Sequence, residues 1–371
     1  MNKNFKPKTL AYYLPAFHEI PENNEWYGEG FTEWDNTRKG LPNYHNHNQP
    51  RVPYNNHYYD LSNIDEIKWQ TKIAKQYGVD GFCFYHYWFG GRKILEKPSE
   101  ILLKTKEINT NFCFAWANEP WRKTWNDKIG DAELLIDQNY GDEYEWKNHY
   151  DYLSTFFKDK RYIKINNQPV LLIYRLASIP DAEKMISYFN SLAIVDGFKG
   201  IYIVRMNIDS NSSIVDKVDA EVDFEPSVTS GNLTLRPFQS SFAFWKIKRK
   251  IFYKFICFDW FVKIFNDTID YKAYNNSLLK KKIRNTQFYS LVCDWDNTPR
   301  KGRRGWSMKN VSVEQFKKTY EFCYTKSIEE KKELIFIFAW NEWGEGGYLE
   351  PDTSRKYGFL EAIKSVKLSF K

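Results

Sequence analysis

The chain has 371 residues, of which 42% are apolar and 18% aromatic, and it carries a net charge of +7. That apolar fraction supplies a core and excludes bulk disorder, and the length suits one decorated α/β barrel spanning residues 1–371, with two smaller domains as the competing division. The charge comes from interspersed Lys and Glu without a basic stripe or a recognition module, so no nucleic-acid partner is expected.

Cys83, Cys113, Cys257, Cys293 and Cys323 are scattered singly, with no CxxC spacing. Buried thiols of this kind behave as small hydrophobes, which favours a reducing compartment and argues against a disulfide framework or a zinc site. Behind the basic start Met1–Lys8 no apolar stretch follows, so a standard secretion signal is not expected. A cytoplasmic location, at most peripheral at the inner membrane, is the expectation.

Eight short runs rich in β-branched and aromatic residues follow in chain order: Thr9–Phe17, Gly78–Phe89, Phe112–Glu119, Pro169–Arg175, Gly200–Asn207, Ala220–Ser227, Phe288–Asn297 and Leu334–Asn341. Stretches with helical periodicity lie between most of them, such as Ile64–Tyr77 and Val313–Tyr324. Strands apolar on both faces and alternating with helices imply a parallel sheet. Eight such units predict closure into a (β/α)₈ barrel with extended βα loops. No Gly-rich phosphate loop follows the first run, which disfavours an open dinucleotide-binding sheet.

Two long connections interrupt the rhythm. Residues 18–60 are rich in Trp, Asn, His and Pro and read as a loop wall of a site. Residues 228–287 form a basic, aromatic insertion between the sixth and seventh strands, and within it 242–265 set Lys and Arg beside Trp and Phe. An ordinary barrel helix with its basic side chains in water accounts for that pattern; contact with an anionic membrane surface is the alternative.

Nearly every run exits into groups able to do chemistry: His18-Glu19, His86-Tyr87-Trp88, Asn118-Glu119, Arg175, Asn207, Glu225, Asp294-Trp295-Asp296 and Asn341-Glu342. In a barrel the carboxyl ends of all strands meet on one face, where catalysis sits. The last run leads into Trp340-Asn341-Glu342-Trp343-Gly344-Glu345-Gly346, two carboxylates among Trp and Gly. Glycosidic cleavage needs such a pair, one holding a proton for the leaving oxygen and one ionised. Glu119 is a rival catalytic residue or a ligand for sugar hydroxyls. His86, Tyr87 and Trp88 alternate faces, so not all three point inward. His18 and His86 read as hydroxyl ligands or strand caps rather than metal ligands. Asp294-Trp295-Asp296 is similar to the Asp-x-Asp of metal-dependent nucleotide-sugar transferases, but without the nucleotide-binding sheet it reads as a pair of sugar-binding carboxylates. No metal and no cofactor are expected.

Several stretches together resemble the WbsX-like family, also described as glycoside hydrolase family 99-like. They are Tyr12–His18, Gly28–Trp34, Gly81–Phe89, Trp116–Glu119, Trp295–Arg300, Asn341–Gly346 and Tyr348–Asp352. The related family 99 enzymes are retaining endo-acting α-mannosidases on (β/α)₈ barrels, and their last-strand motif is reproduced by Asn341–Gly346; Glu33-Trp34 in the first loop belongs instead to the WbsX-like set. By that resemblance Glu342 acts as base on the sugar 2-hydroxyl, which attacks its own anomeric carbon. Glu345 protonates the leaving oxygen and then deprotonates the incoming water. Glu345 would therefore hold its proton at rest and Glu342 would stay ionised. The remaining candidates, expected to bind an oligosaccharide or polysaccharide substrate, are Tyr13, His18, Glu33, Trp34, His86, Tyr87, Trp88, Trp116, Asn118, Glu119, Arg175, Asp294, Asp296, Trp340 and Asn341. The expected activity is hydrolysis of a bacterial surface polysaccharide, O-antigen or capsule, or its precursor. Retaining glycosyl transfer in assembly of the same polysaccharides and carbohydrate binding without chemistry are the alternatives.

Overall fold

All eight runs form parallel strands in the computed structural model, which describes residues 5–123, 133–208, 218–232, 258 and 267–370. The strands are β1 (Lys8–Tyr13), β2 (Gly81–Phe89), β3 (Asn111–Trp116), β4 (Gln168–Ile173), β5 (Tyr202–Asn207), β6 (Ala220–Asp223), β7 (Gln287–Val292) and β8 (Leu334–Phe338). Each pairs with its sequence neighbours, and β1 pairs with both β2 and β8, which closes the sheet. The result is the expected (β/α)₈ barrel. The sequence runs overshoot the strands at their carboxyl ends: Ala16, Glu119, Ser227 and Asn297 lie beyond the ladders, in the loops that build the upper face.

Side-chain alternation along the strands sorts the aromatics into two layers. Tyr12 of β1 packs inside the barrel, stacked on Tyr85 of β2 (5.8 Å) and Phe336 of β8 (5.6 Å) and meeting the edge of Phe224 beyond β6 (6.0 Å). Its neighbour Tyr13 points outward, against Phe82 and Phe84 at 5.2 and 4.2 Å. Burial of each such large side chain contributes roughly 1.5–3 kcal/mol. The barrel is therefore a filled core rather than a pore.

The helix α1 (Glu33–Arg38) lies in the first loop at the upper face, and the outside is covered by α2 (Ile64–Tyr77), α3 (Lys97–Lys104), α4 (Glu143–Phe157), α5 (Ala182–Val195), α6 (Tyr271–Lys280), α7 (Val313–Glu329) and α8 (Gly358–Ser369). Helix α2 has the bounds read from its periodicity. Asn63 caps it through the Asp65 N–H, Gly78 ends it in the left-handed conformation (φ 88°), and Ile67, Ile73 and Ala74 are buried. Segment 18–60 is not loop throughout: it holds the short helix Pro21–Tyr27 and α1, and it buries Glu33 and Trp34. The candidate membrane contact at 242–265 lies, apart from Phe258, outside the described residues. Among the described residues no helix is long and apolar enough to cross a membrane.

Candidate active site

Two asparagines set the geometry of the upper face. Asn341, after β8, accepts from the Leu14 N–H (2.8 Å) and donates to the Leu14 carbonyl (2.9 Å), tying the end of β8 to the end of β1. Asn118, after β3, does the same to Arg175 beyond β4, at 2.7 and 3.0 Å. Both are fully buried. In each Asn-Glu pair the amide clamps the neighbouring strand, and the next residue, Glu342 or Glu119, lines a cavity of about 730 Å³. That volume falls within the range of ligand pockets.

Beyond Glu342 the chain turns through one 3₁₀ turn, Trp343–Glu345, and leaves it at Gly346 with φ 68°. The curl puts Glu342 and Glu345 on the same cavity wall. Arg300 joins them: its Nη2 lies 2.6 Å from Glu342 and its Nη1 3.0 Å from Glu345. Its Nε lies 2.7 Å from Glu33 of α1. One guanidinium thus bridges three carboxylates from two loops and itself comes from a third. Gly344 makes room for this, since a Cβ there would lie 2.0 Å from Glu33 Oε1 and 2.8 Å from Arg300 Nε.

Local sequence explains how the two distant partners arrive. Glu33 opens a helix that begins with a Thr32–Asp35 capping box, and its backbone N–H donates to the Ala16 carbonyl (3.2 Å). Arg300 sits on the short helix Thr298–Lys301, whose start is held by Asp296, which accepts from the Thr298 N–H (3.1 Å) and hydroxyl (2.6 Å).

Three carboxylates around one cation, largely out of water, cannot all be charged without penalty. Burial pushes Glu342 up to about 8, Glu345 and Glu33 add to the rise, and Arg300 opposes it. That direction opposes the expectation of an ionised Glu342 at rest. Of the pair, Glu342 is the more deeply buried, with 4% of its side chain exposed against 22% for Glu345.

Of the sequence-selected residues, Glu33, Tyr87, Glu119, Glu342 and Glu345 line the cavity. The others lie elsewhere. Tyr13 faces α2 and donates to Gln70 (2.6 Å), because alternation gives the interior to Tyr12. His86 and Trp88 also face outward: His86 Nε2 meets His149 Nε2 of α4 at 2.9 Å, and Trp88 stacks on His149 at 4.7 Å. Trp116 packs edge-on against the same histidine. Trp34 is buried against Phe17 (4.5 Å), and its indole N–H donates to the Tyr59 carbonyl. Trp340 packs on Phe82, and His18 is buried, with desolvation holding it down to about 4. Arg175 reaches the cavity only through Glu119, 2.7 Å away.

Asp294 and Asp296, expected to bind sugar, are wholly buried. Asp294 is paired with Arg51 (2.7 Å) and Arg355 (2.8 Å) and accepts from the Trp295 N–H. Asp296 accepts from His47 (2.7 Å) and Gln49 (2.6 Å) as well as Thr298. Burial opposes its charge, but His47 and Arg51 outweigh that and hold it down to about 2. All four oxygens are engaged, which does not fit the open carboxylate pair of a metal-nucleotide site. Among the described residues no cluster of three or more His, Cys, Asp or Glu could hold a metal.

The cavity also takes Tyr85, Tyr174, Trp295, Trp306 and Arg300, which the sequence did not single out. Tyr85 had a signal, two positions from Tyr87 on one face of β2. Arg300 closes the Trp295–Arg300 stretch, but nothing local pointed to its partners Glu33 and Glu342, 267 and 42 positions away.

Solved structures with the same closed barrel overlay on nearly the whole chain. A glycoside hydrolase-like protein matches with a TM-score of 0.56 at 11% identity, covering 99% of this chain and 95% of its own. The GH99 endo-alpha-mannosidase from Bacteroides thetaiotaomicron matches with a TM-score of 0.55 at 15% identity, covering 98% and 97%. At those identities the likeness is one of fold. The model of the glycosyltransferase WbsX family matches residues 9–363, and the chain belongs to that family, among carbohydrate-active enzymes. An uncharacterized protein, WxcX, from two strains of Xanthomonas campestris pv. campestris is 30% identical over 370 residues. The match covers 97% of this chain, and the chain spans about half the length of those relatives.

Proposed function

We propose that the chain is a retaining, endo-acting glycoside hydrolase that cleaves a bacterial surface polysaccharide, O-antigen or capsule, or its precursor, with Glu342 and Glu345 as the reacting pair. The supporting observation is that one guanidinium, Arg300, holds both carboxylates at the wall of an aromatic cavity large enough for several sugar rings. In this reading Glu342 takes the proton of the sugar 2-hydroxyl, and Glu345 gives one to the leaving oxygen. At rest, burial favours the protonated form of Glu342. In this reading Glu342 must be ionised and Glu345 protonated once the sugar is bound, so that the 2-hydroxyl loses its proton to Glu342 as its oxygen attacks the anomeric carbon and the leaving oxygen takes the proton of Glu345. Tyr85, Tyr87 and Trp295 offer flat faces for the sugar, and Glu119 with Arg175 offers hydroxyl ligands at the rim.

The family description supports a second reading, transfer of the cleaved glycan to another sugar instead of water. The same pair would serve, without a metal-bound nucleotide. Incubation with the surface polysaccharide of the same organism, with products analysed by mass and anomeric configuration, tests both. Shorter chains with retained configuration are expected for hydrolysis, and longer chains as well for transfer. Glu342→Gln and Glu345→Gln should each abolish turnover in a folded protein. Full activity of either variant would remove the assignment.

A further inference from the structure

Glu350 takes no part in the chemistry above, yet donors from three parts of the chain converge on its buried carboxylate. The Trp343 indole N–H (2.7 Å) and the Tyr59 hydroxyl (2.8 Å) donate to Oε2, and the Gln70 amide (2.8 Å) donates to Oε1. The network continues outward. Gln70 accepts from Tyr13, and Tyr59 accepts from Asn341, the clamp on β1 (3.3 Å). Trp343 heads the turn that runs from Glu342 to Glu345, and its ring is stacked on Tyr348 at 3.7 Å.

We propose that Glu350 is a positioning residue: its carboxylate anchors the Trp343 indole and so fixes the turn that presents Glu342 and Glu345 to the cavity. The proposal rests on reading those two as the reacting pair. All three partners donate through neutral groups, so an ionised carboxylate, an acceptor only, satisfies them. A protonated Glu350 would turn a hydroxyl toward a donor and lose a bond. Burial pushes Glu350 up to about 7, against the pull of Trp343, Tyr59 and Gln70. Glu350 also lines a separate cavity of about 350 Å³, together with Trp343, His57, Trp69 and Tyr357. The titratable groups facing it are Tyr13 from β1, Tyr59 and His57 from the first loop, Glu66 from α2 (paired with His57 at 2.8 Å) and Tyr357 ahead of α8.

The test uses the full chain labelled with ¹⁵N. The Trp343 indole signal is identified by its loss in Trp343→Phe and followed from pH 5 to 9. In the native protein it should titrate with a midpoint near 7. In Glu350→Gln the titration should vanish and the indole proton should exchange about tenfold faster, the effect of one lost hydrogen bond. A signal indifferent to pH in the native protein, or one that titrates unchanged in Glu350→Gln, overturns the proposal. Should Glu350→Gln not fold, the native titration decides alone. On the organism's own polysaccharide, Glu350→Gln should lose kcat at least tenfold with KM held within twofold. Unchanged kcat would overturn the positioning role. The resting-state titration does not depend on turnover, so its failure is distinct from a failure of the hydrolase reading.

Discussion

The Arg300 guanidinium donates to Glu342 across 2.6 Å while it holds Glu345 with its other terminal nitrogen, so the pair is set by a residue from a different loop. Arg300→Met keeps the length of the side chain and removes that cation. Since Arg300 opposes the rise at Glu342, its loss should raise Glu342 further. If Glu342 is the base on the 2-hydroxyl, as proposed, the pH at which turnover first appears should then shift upward, because its ionised form needs a more alkaline solution. Loss of the cation from this largely buried cluster should cost about 3 kcal/mol of stability. A pH–rate profile and denaturant unfolding check the two effects.

Glu342 also links stability to pH, with a sign opposite to that of most carboxylates. Its folded-state value lies near 8 and its unfolded value near 4.5, so the folded state binds more protons between them and stability falls as pH rises through that window. Glu342→Gln cannot ionise. Its melting temperature, compared with the native protein, should therefore improve between pH 5 and pH 9. Equal differences at the two pH values would contradict the buried, proton-holding Glu342.

Asp294 behaves as a structural anion. Asp294→Ala should cost about 3 kcal/mol, because Arg51 and Arg355 would lose the buried carboxylate they share and keep only the longer ion pairs to Asp296 (3.5 Å) and Asp352 (3.6 Å). Mn²⁺ and EDTA should leave the melting temperature of the native protein unchanged, since both oxygens of Asp294 and of Asp296 are already taken. A stabilising shift with Mn²⁺ would contradict this.

The buried histidines His86 and His149 are both held down by desolvation, His86 to about 3. They stay neutral in the folded state while the unfolded chain protonates near 6.5, so stability is full above that pH and is lost on acidification. Each contributes a slope of about 1.4 kcal/mol per pH unit. His149→Phe removes one of the two. Between pH 6 and 5 the variant should lose less stability than the native protein, as measured by urea unfolding at both pH values.

The barrel was legible because each strand is a short, doubly buried apolar run, and such runs stand out whatever surrounds them. The residues alone marked the cavity wall where chemistry lies next to a strand end, as at Asn118-Glu119 and Asn341-Glu342, and the family likeness added Glu33 from the first loop. Even at the strand ends the role of each residue was not legible. The asparagines proved to be clamps, and His86 and Trp88 face the helices because Tyr85 and Tyr87 hold the inward phase of β2. Asp294 and Asp296 carried a suggestive spacing, but their partners Arg51, Arg355 and His47 come from segments some 50–250 positions away in the chain. No local pattern reports such pairings. The same holds for Arg300, whose geometry arises only when three loops meet.

Gly344 has a consequence for how this site can be altered. Its missing methyl group is the space in which Glu33 and Arg300 meet. An alanine there would force the two apart while leaving the sequence's ionisable residues untouched, so an assay and a charge-sensitive gel would disagree about whether anything had changed. That makes a glycine, rather than an acid, the smallest change able to take this cluster apart.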